Sequence, residues 1–270
     1  MKNRYIKNSR IIWRGPSLID GSPIVVVATG LQKNSANAKT GNLVQTWIIR
    51  ADMSPMAARE SGADIAICGE CPSRTKYRYI NKSGKEIDQA PCYVDLQKAL
   101  ASIWKALQAD RYATCSPDDL TALGTGRDIR IGSYGDPAAV PAWVWWSLIA
   151  ASTGNTGYTH QWSHANPEVR QNARLLQPFV HASVDRAIDG VRARASGWRT
   201  FRVVDSESAP RERIEGKCPA SREAGRKLDC ASCMSCGGTQ ADGKASRVIV
   251  AHGKGVQAWR AMARELESVA

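Results

Sequence analysis

The chain has 270 residues, 43% of them apolar and 22 of them Gly, a balance that excludes a wholly disordered or collagen-like polymer and fits one large domain or two small ones. Its 37 Lys and Arg against 25 Asp and Glu leave a net charge of +12, which points to a polyanionic partner or an anionic ligand. A chain of this size does not need its 8 Cys as staples for a small core.

Residues 1–19 carry Lys2, Arg4, Lys7, Arg10 and Arg14 without an acid, and read as a flexible basic arm or edge segment. Residues 23–28 form a β-branched run ended by Gly30, the pattern of a buried strand. After a polar loop over 32–42, residues 43–51 read as a second strand. Ser54-Pro55 then opens a short helix over 54–64 with a capping residue followed by an N1 proline. Residues 68–92 read as a cysteine-bearing loop. Leu96, Leu100, Ile103 and Leu107 recur at near-helical spacing over 95–109. Alternating strands and helices follow: strand 127–134, helix 141–152, strand 156–160, helix 167–177, strand 179–184, helix 185–195 and strand 199–204. A polar cysteine-bearing insertion over 205–245 precedes a last strand, 247–251, and a last helix, 256–269. The expectation is one α/β domain over 1–270, a partial (β/α) barrel or open parallel sheet carrying cysteine-rich metal-binding loops. On the apolar helix, Trp143, Trp145 and Trp146 read as core.

No apolar stretch approaches the roughly 18 residues a membrane helix needs. Residues 1–13 lack the apolar run and cleavage site of a leader, so the expected compartment is the cytoplasm. Clustered cysteines there read as metal or redox sites rather than disulfides. Cys218-Pro219 with Cys230, Cys233 and Cys236 offers four thiolates, a set that suits tetrahedral zinc or a [4Fe–4S] cluster. Zinc favours two separate Cys-x2-Cys pairs, whereas a compact triple with a remote Cys-Pro resembles ferredoxin spacing and favours iron–sulfur. Cys68, Cys71 and Cys92 make a second set: a metal with one open position, or a structural zinc completed by Cys115 or a histidine.

In parallel α/β folds the working residues stand at the C-terminal ends of strands. Asp136 between Gly135 and Pro137, His160, Ser183 and Asp185, Asp205, and His252 occupy those ends here. Ser183 and Asp185 also suit helix capping, and His160 and His252 read as ligands or general bases, although a lone histidine is more often a satisfied, packed one. Residues 186–227 hold 11 Lys and Arg against 6 Asp and Glu, with Trp198 and Phe201 interleaved, a stacking surface for nucleic acid or a solvated helix and edge strand.

Several motifs occur in a fixed order: Asn37 to Asn42 before a strand, Cys68, Cys71 and Cys92-Tyr93-Val94, Arg130 to Gly135-Asp136, Tyr158-Thr159-His160, the late cysteines, and Val250 to Gly253. Over residues 34–253 they resemble a family of phage and plasmid proteins called gene product eighty-eight in mycobacteriophages, a family with no settled activity. Its members are distantly similar to radical S-adenosylmethionine proteins, although here about twenty residues separate Cys71 from Cys92. The resemblance implies an iron–sulfur enzyme. Cys68, Cys71 and Cys92 would hold a cluster with an open iron, Asp136, His160 and Asp205 would serve catalysis, and Gly135, Asp136 and His252 would bind cofactor, S-adenosylmethionine included. The late cysteines would hold a second, structural centre. The alternative is a zinc-stabilised protein of a mobile element whose charge engages nucleic acid.

Overall fold

The computed structural model describes residues 5–32, 40–221, 225, 228–240 and 245–268. Lys2, Arg4, the loop residues 34–39, Lys227 and Val269 lie outside the described residues. In chain order the elements are β1 (Ser9–Pro16), β2 (Pro23–Thr29), β3 (Val44–Arg50), α1 (Pro55–Ser61), α2 (Ile65–Cys68), β4 (Tyr77–Ile80), β5 (Glu86–Gln89), α3 (Ala99–Gln108), β6 (Ala113–Thr114), α4 (Asp119–Gly124), β7 (Asp128–Tyr134) and α5 (Ala142–Ile149). There follow β8 (Gly154–Thr159), α6 (Pro167–Leu175), β9 (His181–Val184), α7 (Ala187–Ala195), β10 (Thr200–Val204), β11 (Glu215–Lys217), α8 (Cys230–Cys233), β12 (Ser246–Val250) and α9 (Val256–Ser268).

Ten strands form one open sheet in the order β11-β12-β10-β9-β8-β7-β3-β2-β1-β6, and β4 and β5 form a separate hairpin. From β3 through β7, β8, β9 and β10 to β12 every step runs parallel and in one direction. Right-handed crossovers that always advance the same way put their helices on one face. The packing agrees: an added Cβ on Gly124 of α4 would meet both Ile129 of β7 and Leu148 of α5. A single main core joins the sheet to these helices, with Trp145 fully buried at its centre and its indole N–H donating to the Pro137 carbonyl at 2.9 Å. The opposite face of β7, β8 and β10 carries Arg130, Tyr158 and Phe201, and the Tyr158 and Phe201 rings lie 4.3 Å apart between centroids.

Local chemistry explains the element borders. Ser54 caps α1 by accepting the Ala57 N–H at 3.1 Å, Pro55 follows it, and Asn166-Pro167 repeats the device at α6. The five residues Ile24 to Ala28 are buried on both faces, as a continuous apolar run demands of a central strand.

Three expectations are corrected. The basic arm is a strand from Ser9 onward: β1 lies between β2 and β6, Ile11 and Ile12 are buried, and Arg10 donates to the carbonyls of Ile6 and Ser9. The loop over 68–92 contains the β4–β5 hairpin, whose turn is organised by Asn81 Oδ1 accepting from the Ser83 and Lys85 N–H groups. Of the tryptophans on α5, only Trp145 is core. Trp143 and Trp146, three residues apart on the outward face, are 43% and 41% exposed.

Candidate metal centres

The loop that follows β3 brings the early cysteines together. Cys68 ends α2, Cys71 starts a 3-10 turn over Pro72–Arg74, and the Cys92 N–H donates to the Ser73 carbonyl at 3.0 Å. This loop is strapped to the C-terminal ends of β7 and β8. The Asp136 N–H donates to the Ile67 carbonyl at 2.6 Å. Gln161 Nε2 donates to the Cys68 carbonyl at 3.0 Å, and its Oε1 accepts from the Glu70 N–H at 3.1 Å. Gly69, at φ +53°, packs so closely on Gln161 that a Cβ would overlap it. Burial pushes the Cys68 thiol well up, and Cys71 and Cys92 push it further. Burial also raises Cys92, against the opposing charge of Arg59. His160 is held high, because Cys71 and the Asp185 carboxylate outweigh the effect of burial. Its Nε2 lies 3.5 Å from Asp185 Oδ2.

The surroundings of these thiols fit an anionic, sulfur-rich group. Arg59 Nε and Nη2 are buried without a hydrogen-bond partner; Nε lies 3.9 Å from the buried Asp64 carboxylate, and the guanidinium also faces Cys92, Tyr134 and Cys68. Tyr134, 3% exposed, has an unpartnered hydroxyl that burial and then Cys68 hold in its neutral, donating form. Unmade buried hydrogen bonds cost about 1–3 kcal/mol each, and sulfur acceptors between the three cysteines would answer these donors. Among the described residues no three His, Cys, Asp or Glu close to the distance of one shared ion. A multi-iron cluster binds each thiolate through a different iron, so its ligands stand further apart.

Several residues named from sequence take other places. Asp136 is buried, and its carboxylate accepts four hydrogen bonds: Ala138 N–H (3.0 Å) and Thr159 Oγ1–H (2.7 Å) at Oδ1, His160 N–H (2.7 Å) and Gln161 Nε2–H (3.0 Å) at Oδ2. That fills the four lone-pair directions of a carboxylate, so Asp136 positions His160 and Gln161 rather than reacting. Gly135, at φ +78°, approaches protein and not ligand: a Cβ there would lie 2.7 Å from Ile48 Cβ and 3.3 Å from the Ile67 carbonyl. Asp205 forms a 2.6 Å ion pair with Arg260 of α9 and is 60% exposed. His252 Nδ1 lies 2.8 Å from the Val250 carbonyl, its own turn. Cys115 follows β6 at the sheet's far edge, where its thiol faces Arg10 and Asp119.

Of the late cysteines, Cys218 follows β11 at its C-terminal end, its N–H donating to the Val248 carbonyl at 2.8 Å, whereas Cys236 lies against β8. β9 begins opposite Tyr158, so the lower part of β8 lacks a neighbour on that side, and the Cys236 carbonyl fills it by accepting the Gly157 N–H at 3.1 Å. The Gly238 N–H donates to His181 Nδ1 at 3.3 Å at the start of β9, and Arg199 Nη1 donates to the Gly238 carbonyl at 3.1 Å before β10. The Ala231 N–H donates to the Thr40 carbonyl ahead of β3. Cys218 packs with Ile249 and Cys230. Burial pushes the Cys236 thiol up to about 12, with Tyr158 opposing and Cys218 and Cys230 close enough to act on it. Cys233 is the outlier of the four, its Sγ 3.0 Å from Ser235 Oγ.

Arg59 was not singled out from sequence, and Arg130, Tyr134 and Gln161 stood in motifs or at strand ends there without a role of their own. Arg130 had a readable signal, a charge in the middle of an apolar strand. Compared with protein-family models, curated proteins and solved structures, the chain matches none of them.

Proposed function

We propose that the chain is a metalloprotein with two cysteine centres, an iron–sulfur enzyme of radical S-adenosylmethionine-like architecture. The early centre, on Cys68, Cys71 and Cys92, is the reactive one and the late centre the structural one. The observation that carries this reading is that one loop region at the C-terminal strand ends holds Cys68, Cys71 and Cys92 near enough to act on one another, beside buried Arg59 and the unpartnered Tyr134 hydroxyl. The parallel strand order supports it, because that end of such a sheet is the working end, whereas Cys236 of the late group fills the open flank of β8. When bound, a cluster with three protein thiolates supplies one-electron chemistry at an iron open to a ligand. The protein's part is to hold that group by the three cysteines, to donate to its sulfurs from Arg59 and Tyr134, and to fix Gln161 and His160 through Asp136. His160 Nε2, with Asp185 behind it, can carry a proton beside Cys71. Gly135 and Asp136 are occupied by protein contacts, so S-adenosylmethionine would find its contacts on other groups at these strand ends.

The test is anaerobic reconstitution, chemical reduction and incubation with S-adenosylmethionine. Reductive cleavage to deoxyadenosine and methionine, lost in Cys71→Ala, supports the reading. A colourless zinc protein retained on nucleic acid in a salt-sensitive way contradicts it and favours the zinc-stabilised binding protein instead.

A further inference from the structure

Arg130 stands between the two cysteine groups. It is 6% exposed, at the centre of β7 on the face away from the helices. Its guanidinium lies 4.6 Å from the Tyr158 ring centroid, Nη2 donates to the Tyr93 hydroxyl at 3.3 Å, and Nη1 is 3.5 Å from Thr156 Oγ1. Among the described residues no carboxylate comes within ion-pair distance of it. A buried cation left without an anion is strongly unfavourable, so the site calls for negative charge nearby. The groups that can supply it are sulfur: Cys236 is held against Gly157, next to Tyr158, and Cys230 lies close by. On its other side Arg130 holds Tyr93, the residue after Cys92. Tyr93 is 68% exposed, and its ring has little packing to fix it apart from this bond.

We propose that Arg130 is the counter-charge of an anionic late centre and that, through Tyr93, it passes the presence of that centre on to Cys92, so that the late centre must be loaded before the early one is held firmly. This inference rests on the two-centre reading above. It makes the order of assembly directional. Loss of the early thiols leaves the late centre intact, because Arg130 keeps its sulfur neighbours. Loss of the late thiols frees Arg130, and with it Tyr93, so that Cys92 loses the anchor of its chain neighbour and keeps its own bond to the Ser73 carbonyl.

The experiment measures iron, zinc and sulfide per chain in anaerobically loaded protein before and after a timed chelator challenge, with the visible spectrum recorded throughout. A variant with Cys68, Cys71 and Cys92 replaced by Ala reports the late centre alone. Tyr93→Phe removes one hydroxyl from an exposed ring, so folding is not at stake. It is expected to keep the late centre and to release early-centre metal about tenfold faster, the lower end of what outer partners of metal ligands contribute. Arg130→Met is expected to release both centres faster and to change the spectrum of the late one. Arg130→Lys, which restores the charge, should bring late-centre retention back to within about threefold of wild type, a rescue that lost packing would not show. Cys236→Ser is expected to load neither centre. The proposal is overturned if Tyr93→Phe and Arg130→Met release metal at the wild-type rate, or if Cys236→Ser loads the early centre fully. Wild-type protein without metal overturns the two-centre reading itself, an outcome visible before any variant is made.

Discussion

Asp136→Asn tests the claim that this carboxylate is a clamp rather than a reactive group. All four of its neighbours are donors, and an amide must turn its NH2 toward two of them. Facing His160 N–H and Gln161 Nε2, the NH2 would orphan both, and Gln161 cannot turn to accept because its two ends already serve the Glu70 N–H and the Cys68 carbonyl. Facing the other pair, it meets the Thr159 hydroxyl, which can rotate, and orphans only the Ala138 N–H. The second orientation wins. It leaves one buried unmade bond, about 1–3 kcal/mol, and weakens the remaining bonds by removing their charge assistance, so the total is about 2–4 kcal/mol. In a domain near this size that lowers the melting temperature by about 5–10 °C. Urea unfolding at neutral pH, checked by thermal scans, measures it. A loss below about 0.5 kcal/mol, the range of an uninvolved surface substitution, would refute the reasoning.

Other expectations follow from the late loop. Burial, then the charges of Arg199 and Arg247, push the His181 imidazole down to about 3, while an unfolded chain takes up that proton below about pH 6.5. The stability tied to neutral His181 is therefore complete above about pH 6.5 and falls as the pH drops, by about 2 kcal/mol at pH 5. His181→Asn, whose Oδ1 can still accept from the Gly238 N–H, should flatten that fall in unfolding curves taken across this window. An equal fall in both proteins contradicts the assignment. Gly238→Ala combines φ +71° with a Cβ that overlaps the Pro178 and Phe179 backbone, and is expected to cost about 3 kcal/mol or more. Near-wild-type stability in chemical denaturation would show that the loop does not dock there.

Much of the sheet was legible because burial on two faces writes itself as uninterrupted apolar runs, as in residues 24–28, and because Ser54-Pro55 and Asn166-Pro167 announce helix starts. β1 was harder. A bulge between Ile11 and Trp13 breaks the two-residue period, so adjacent Ile11 and Ile12 are both buried while Arg10 and Arg14 suggest an exposed arm. The hairpin β4–β5 has four-residue strands with half their side chains in water, too little pattern to separate from a loop. At the site, the cysteine groups were readable from spacing and the early one from its place after β3. The satisfied state of Asp136 was not, since its four donors come from two loops that only the fold brings together. Arg59 lies on a short helix whose sequence gives no sign that its side chain turns toward cysteines nine and more residues away.

The central claim, an iron–sulfur group on Cys68, Cys71 and Cys92, is tested most directly by elemental analysis of protein purified without oxygen, on the wild type beside the variant lacking those three thiols. The account predicts iron and acid-labile sulfide in both, with broad visible absorption, and in the variant a loss equal to one cluster per chain. Equal iron and sulfide in the two proteins, or zinc and no sulfide in the wild type, would contradict it.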